Sequence, residues 1–207
     1  METRDILVAE KLFGIKSYDE YYSLVQDLAR ANQTSGSIQS SERILATRLN
    51  AQRMKRLTKQ SIIQEELVRE LAKINEHWVW TVLAESWCGD GAQNIPIIAA
   101  MAKLFPEQIT LRIVLRDENE TLMNDHLTNA VKAIPKLICH SESRSKELGT
   151  WGPRPAVIQE RVRVLKMNSP AVSHDDFVLA LHQWYAEDKG VSLQNEFEGY
   201  VRTWNLK

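Results

Sequence analysis

The sequence predicts an α/β protein, a mixed β-sheet flanked by helices, with a helical N-terminal extension and a helical C-terminal tail. Three observations carry this. The apolar period changes at Trp78 from helical spacings to the short β-prone run Trp78-Val-Trp-Thr-Val-Leu-Ala84. A helix and a second β-branched run, Ile109 to Leu115, follow it. Two further β-prone stretches then lie close together in sequence, Ala133 to Cys139 and Glu147 to Trp151. The organisation expected is an N-terminal helical part over 1–75, an α/β core over 76–155, and C-terminal helices over 156–207 that pack on the core.

The first helix starts at Ser17, an N-cap, and carries Tyr18, Tyr21, Tyr22, Val25, Leu28 and Ala29 at three- and four-residue spacings until Asn32 to Gly36 ends it. Ser40 or Ser41 caps a second pattern through Ile44, Leu45, Leu49, Met54 and Leu57. A break at Thr58 to Ser61 precedes Ile62, Leu67, Leu71 and Ile74. The run at Trp78 is apolar on both faces, which suits a central strand covered on either side. A turn from Glu85 to Gly91 leads to a helix that reaches about Leu104 and stops before Pro106. Strand, helix and strand in that order imply a parallel pair joined by a right-handed crossover. A polar helix over about Glu118 to His126 comes next, and the two later strands form an antiparallel hairpin on a mixed sheet. Helices from about Ala156 to Met167, Ser173 to Glu187 and Val191 to Trp204 complete the chain, with Pro170 and Gly190 as breakers.

Basic and acidic side chains nearly balance, 26 against 27, for a formal charge of -1, so nothing global draws the chain to nucleic acid or anionic lipid. Met1 to Glu10 lacks the basic and long apolar regions of an export signal, and the longest apolar run, Ile97 to Ala102, is far short of the roughly 20 residues that span a bilayer. With two cysteines, Cys88 and Cys139, a reduced cytoplasmic setting without a disulfide framework is the reading.

The stretch Ala84-Glu-Ser-Trp-Cys-Gly-Asp-Gly91 places Cys88 between a buried strand and a helix start. Amide groups and the positive end of the helix dipole favour a thiolate there, and a thiolate is the nucleophile. The carboxylate of Asp90, two residues on, opposes a second negative charge and weakens that activation.

Trp87-Cys88-Gly89 after a strand and Ile134-Pro135 before another resemble the thioredoxin family, in its Trp-Cys-Gly-Pro-Cys motif and its cis-proline loop. The resemblance covers about 76–155 and looks closest to bacterial thioredoxin-like proteins with a helical N-terminal extension and a Trp-Cys-Gly-Asp motif. It implies a thioredoxin fold, thiol chemistry at Cys88, and substrate contact at Trp87, Gly89, Asp90, Ile134 and Pro135. The chain departs from the dithiol motif, with Gly91 where the second cysteine would stand and Asp90 where proline would. One thiol cannot resolve its own mixed disulfide. The function expected is therefore monothiol exchange with a protein or small-molecule thiol or disulfide, resolved by an external thiol. The alternative is a non-catalytic thioredoxin-like module that binds a protein partner. A third reading is reversible oxidation of Cys88 to a sulfenic acid.

Cys139 reads as structural: four residues beyond Pro135 on a strand is about 13 Å at ~3.3 Å per residue, against the ~7 Å between Cα atoms that a disulfide allows. Trp87 either covers the nucleophile or covers the end of the sheet. Gly91 is expected to permit close packing, and Glu85 and Asp90 read as solvated loop carboxylates. The five histidines show no metal-binding spacing, and neither a metal nor another cofactor is implied. Arg53, Lys55, Arg56 and Lys59 read as a solvated helix face.

Overall fold

The computed structural model describes residues 12–207; the N-terminal stretch Met1 to Glu10 weighed above as a leader lies outside the described residues. In chain order the elements are α1 (Tyr18–Arg30), α2 (Ser41–Gln60), α3 (Glu65–Leu71), β1 (Trp78–Ala84), α4 (Gly89–Leu104), β2 (Ile109–Leu115), a 3-10 turn (Arg116–Glu118), α5 (Glu120–Asp125), β3 (Lys136–Ser141), β4 (Lys146–Trp151), α6 (Ala156–Asn168), α7 (His174–Asp188) and α8 (Val191–Asn205).

Capping chemistry sets several boundaries. The Ser17 side chain accepts from the Glu20 amide while Glu20 reaches back to the Ser17 amide, a reciprocal capping box at the start of α1. Ser40 rather than Ser41 caps α2, accepting from the Arg43 amide. The polar helix expected over 118–126 is divided, because the Asn119 amide donates to the Leu115 and Phe13 carbonyls and ends the 3-10 turn before α5 begins. β3 starts at Lys136 rather than at Ala133, since Pro135 has no N–H to give to a ladder.

The four strands lie in the order β2-β1-β3-β4. β1 runs parallel to β2, with Trp78 opposite Ile109 and Ala84 opposite Leu115, and antiparallel to β3, with Trp80 opposite Cys139. β4 pairs antiparallel with β3. This is the mixed α/β architecture the sequence predicts. Every residue of β1 is buried, as a strand covered on both faces requires. Its alternate residues serve two packing groups: Trp78, Trp80, Val82 and Ala84 face the larger, while Leu83 joins Cys88, Val114, Ile134 and Ile138. The larger group is continuous from Tyr21 and Val25 of α1 through the sheet to Phe197, Val201 and Trp204 of α8. A third, smaller group holds α6 to α7 through Ile158, Val162, Leu181 and Tyr185.

Candidate functional site

β1 ends at Ala84 and α4 begins at Gly89, so the Cys88 loop is a tight connection from the sheet into a helix. Cys88 is the N-cap of α4: its sulfur accepts the Gly91 N–H at 3.3 Å, and its thiol donates to the Ile134 carbonyl at 3.2 Å. The helix therefore begins two residues earlier than the expected end of the turn. The Ile134–Pro135 bond beside it is cis, and so is Gly152–Pro153.

The expected activation of Cys88 is not what the surroundings produce. The residue is 7% exposed. Burial, and after it the Asp90 carboxylate, push the thiol up to about 12, outweighing the Gly91 N–H and the nearby Arg154 guanidinium, which pull the other way. Desolvation of a thiolate is costly enough to overcome the helix-terminus contribution of about 1 kcal/mol.

The expectation that Glu85 and Asp90 are solvated is also overturned. Asp90 is buried in the first turn of α4; its carboxylate accepts from Arg154 Nη2 at 2.5 Å and from the Tyr185 hydroxyl at 2.6 Å. Burial pushes the Asp90 carboxyl up, and Arg154 and Tyr185 act against it. Glu85 is buried on the other side of the loop, accepting from the Ser35 hydroxyl and, at 2.9 Å, from the Asp117 amide. Burial raises its carboxyl too.

Next to it, the Ser86 hydroxyl meets Thr47 and Thr34 at 3.0 and 3.1 Å and accepts from the Ser35 amide at 2.8 Å. Asn50 of α2 donates to the Ser86 carbonyl at 2.9 Å. The N-terminal helices thus pin one side of the loop and α7 the other.

Of the residues expected to touch substrate, Trp87 is half-buried between two cations, with Arg43 4.4 Å and Arg116 5.0 Å from its ring centroid. Ile134 and Pro135 are buried, and the Ile134 carbonyl is taken by the Cys88 thiol. The Asp90 carboxylate is occupied by Arg154 and Tyr185. Gly89 is where a side chain would crowd the site: a Cβ there would come within 3.0 Å of the His182 ring. Gly91 does not play the expected packing role, since a Cβ there would sit in ordinary contact, 3.6 Å from both Cβ and Sγ of Cys88.

Cys139 is fully buried on β3, opposite Gly149, and burial raises its thiol well above the ordinary range. Both cysteines are free thiols. Among the described residues no His/Cys/Asp/Glu group could hold a metal ion, and no helix is long and apolar enough to cross a membrane.

Arg154, Asn94, His182 and Tyr185 were not among the residues expected from sequence. Asn94 donates to both the Asp90 carbonyl and the Tyr185 hydroxyl, at 2.8 and 3.1 Å. Gln93 meets His182 Nδ1 at 3.0 Å. Arg154 lies in the short connection between β4 and α6. His182 and Tyr185 come from a helix almost a hundred residues downstream, with no local pattern to mark them.

A mixed sheet with a cysteine at the N-terminus of the helix that follows β1 and a cis-proline loop facing it defines the class. The family model described as Thioredoxin matches residues 37–167, more than half of the chain, and the chain belongs to the thioredoxin family. The crystal structure of an HIV epitope-scaffold of the 4E10 series is similar over 90% of this chain and 98% of its own, at 18% identity and a TM-score of 0.51, a likeness of fold. A protein of unknown function from Pseudomonas aeruginosa, PA1234, aligns over 85% of this chain and 99% of its own, at 20% identity and a TM-score of 0.47. No curated protein matches.

Proposed function

We propose that this thioredoxin-family protein carries out monothiol exchange through a shielded Cys88. One observation supports it above the others: the Cys88 sulfur lies at the N-terminus of α4 between the Gly91 N–H and the Ile134 carbonyl, with no second thiol in the motif. In the exchange, the Cys88 thiol gives its proton to water and the thiolate attacks one sulfur of a substrate disulfide. A new S–S bond forms as the old one breaks, and the departing thiolate takes up a proton. An external thiolate then attacks the mixed disulfide and releases Cys88. Once the site opens, Trp87, Gly89, Ile134 and Pro135 form the surface a substrate meets, and Asp90 acts through its charge beside the sulfur. With its thiol at about 12, Cys88 is slow in the closed arrangement, so exchange requires α7 to lift from Gly89 and Asp90.

The burial of Cys88 favours a second reading, a binding module in which the thiol merely caps α4. Trapping decides between them. Incubated with a disulfide peptide, the wild-type chain and Tyr185→Phe should accumulate a Cys88-linked mixed disulfide, faster in Tyr185→Phe, and Cys88→Ser none. In Gly91→Cys the new Cβ would lie 3.6 Å from that of Cys88, inside the about 3.5–4.5 Å that a disulfide uses, so the mixed disulfide should resolve internally with release of the peptide. Absence of any mixed disulfide in both wild type and Tyr185→Phe would overturn the exchange reading in favour of the binding module.

A further inference from the structure

Between the end of α2, the middle of α4 and the junction of α7 with α8 lies an open cleft of about 440 Å³. That volume falls among small-molecule sites, which span about 300–1,000 Å³. Cys88 is not part of its wall. The charged side chains on the wall are Arg56 and Lys189, with no carboxylate among the lining residues. Gln93, Asn94 and Gln194 add amides, and Ile97 and the Tyr185 ring add apolar surface.

Among the described residues neither Arg56 nor Lys189 forms an ion pair, although Lys189 follows two acids directly. Glu187 is paired with Arg161 at 2.9 Å, and Asp188 is turned into the first turn of α8, where it accepts from the Ser192 amide at 3.2 Å. Arg53, one turn before Arg56 on α2, is half-buried and donates to Asn50 at 2.8 Å, and among the described residues it forms no ion pair, so it adds positive charge there. Burial and the neighbouring Arg56 push its guanidinium down to about 10. Like charges gathered beside a concave, partly apolar wall raise the local concentration of anions.

We infer that this cleft binds a small organic anion, its carboxylate or phosphate head between Arg56 and Lys189 and its apolar body against Ile97 and Tyr185. The inference is independent of thiol exchange. It is tested by calorimetric titration of the full chain with phenyl phosphate, benzoate and the neutral benzyl alcohol. At least one of the two anions should bind saturably, and which of them does identifies the head group. Arg56→Ala and Lys189→Ala, both on exposed side chains, should each weaken binding about tenfold, a loss of ~1.4 kcal/mol. Added salt should weaken it further. Binding of benzyl alcohol as tight as that of the anions, failure of both anions to saturate, or affinity unchanged in both variants would overturn it.

Discussion

The two cysteines share burial and a raised thiol, yet they are covered by different things. Cys139 sits on β3 between Trp80 of β1 and Gly149 of β4, inside the group that runs from α1 to α8. Uncovering it means taking apart the sheet. Cys88 belongs to the smaller apolar group on the other face of β1, at the end of the sheet, and the α4 residues that follow it are held by polar contacts: Asp90 with Arg154 and Tyr185, Asn94 with Tyr185, Gln93 with His182. These tie α4 to α7 and to the loop before α6. A group in the middle of the sheet opens only with global unfolding, whereas the end of the sheet, where the chain turns into a helix held by a few hydrogen bonds, can open locally. The same direction of shift therefore has two meanings, inertness at Cys139 and a condition on the position of α7 at Cys88.

The largest effect that would break this contrast is at Arg154. Its side chain is 16% exposed and that of Asp90 8%, so Arg154→Ala leaves a buried carboxylate with Tyr185 and no cation. Removing one partner of such a pair costs about 3–5 kcal/mol. At the exposed pair Arg163–Glu160, by contrast, Arg163→Ala should leave the midpoint nearly unchanged. Urea denaturation of the two variants is the measurement. Adding Asp90→Asn to Arg154→Ala should restore part of the loss. Equal midpoints for Arg154→Ala and Arg163→Ala would show that the clasp does not hold the site.

How much of this could be read in advance follows from how local each signal is. The strands were legible because Trp78–Ala84 and Ile109–Leu115 carry their own β-branched and aromatic patterns, and the helices because Ser17, Ser40, Pro170 and Gly190 mark their ends. Cys88 and Pro135 were legible because strand-to-helix and pre-strand positions constrain residue type within a few neighbours. The electrostatic state of the site was not. Whether Asp90 is solvated depends on Arg154 and Tyr185, 64 and 95 residues away, and whether Glu85 is depends on Ser35, 50 residues before it. A charge two residues from a cysteine is visible in sequence, but the medium between them is a property of the packed chain.

His182 supplies a smaller effect in the same cover. Burial, with Arg53 nearby, pushes its imidazole down to about 4 from an ordinary 6.5, so the fold favours the neutral ring. The sign follows: this contribution is fully present above pH 6.5 and is lost as the pH falls through that value toward 4, where the ring must be charged in the unfolded chain first. After discounting for its partial exposure, the loss is about 2 kcal/mol. Asp90 and Glu85, raised by burial, act in the opposite sense on acidification. The contribution is therefore read as the difference between wild type and His182→Gln, by urea denaturation at several pH values. The gap between their stabilities should narrow or reverse from pH 7 to 4.5. A constant gap would mean that the ring is not held neutral by the packing of α7 on Gly89.

The smallest effect bears on the comparison most directly, because it applies one chemical change at both cysteines. At Cys88 a serine hydroxyl can still accept the Gly91 N–H and donate to the Ile134 carbonyl, and serine is a preferred N-cap. Cys88→Ser should therefore shift stability by less than about 1 kcal/mol. At Cys139 the side chain is fully buried in the core between Trp80 and Gly149, and a hydroxyl there, even accepting from the Trp80 indole N–H, has its own O–H desolvated. Cys139→Ser should cost about 1–3 kcal/mol. The readout is the pair of denaturation midpoints under reducing conditions. Equal losses would make the two thiols the same kind of buried group and remove the structural reason for assigning chemistry to Cys88. A loss at Cys139 alone fits a sulfur held at a helix terminus by polar contacts, with its neighbour in the sheet serving only to fill the core.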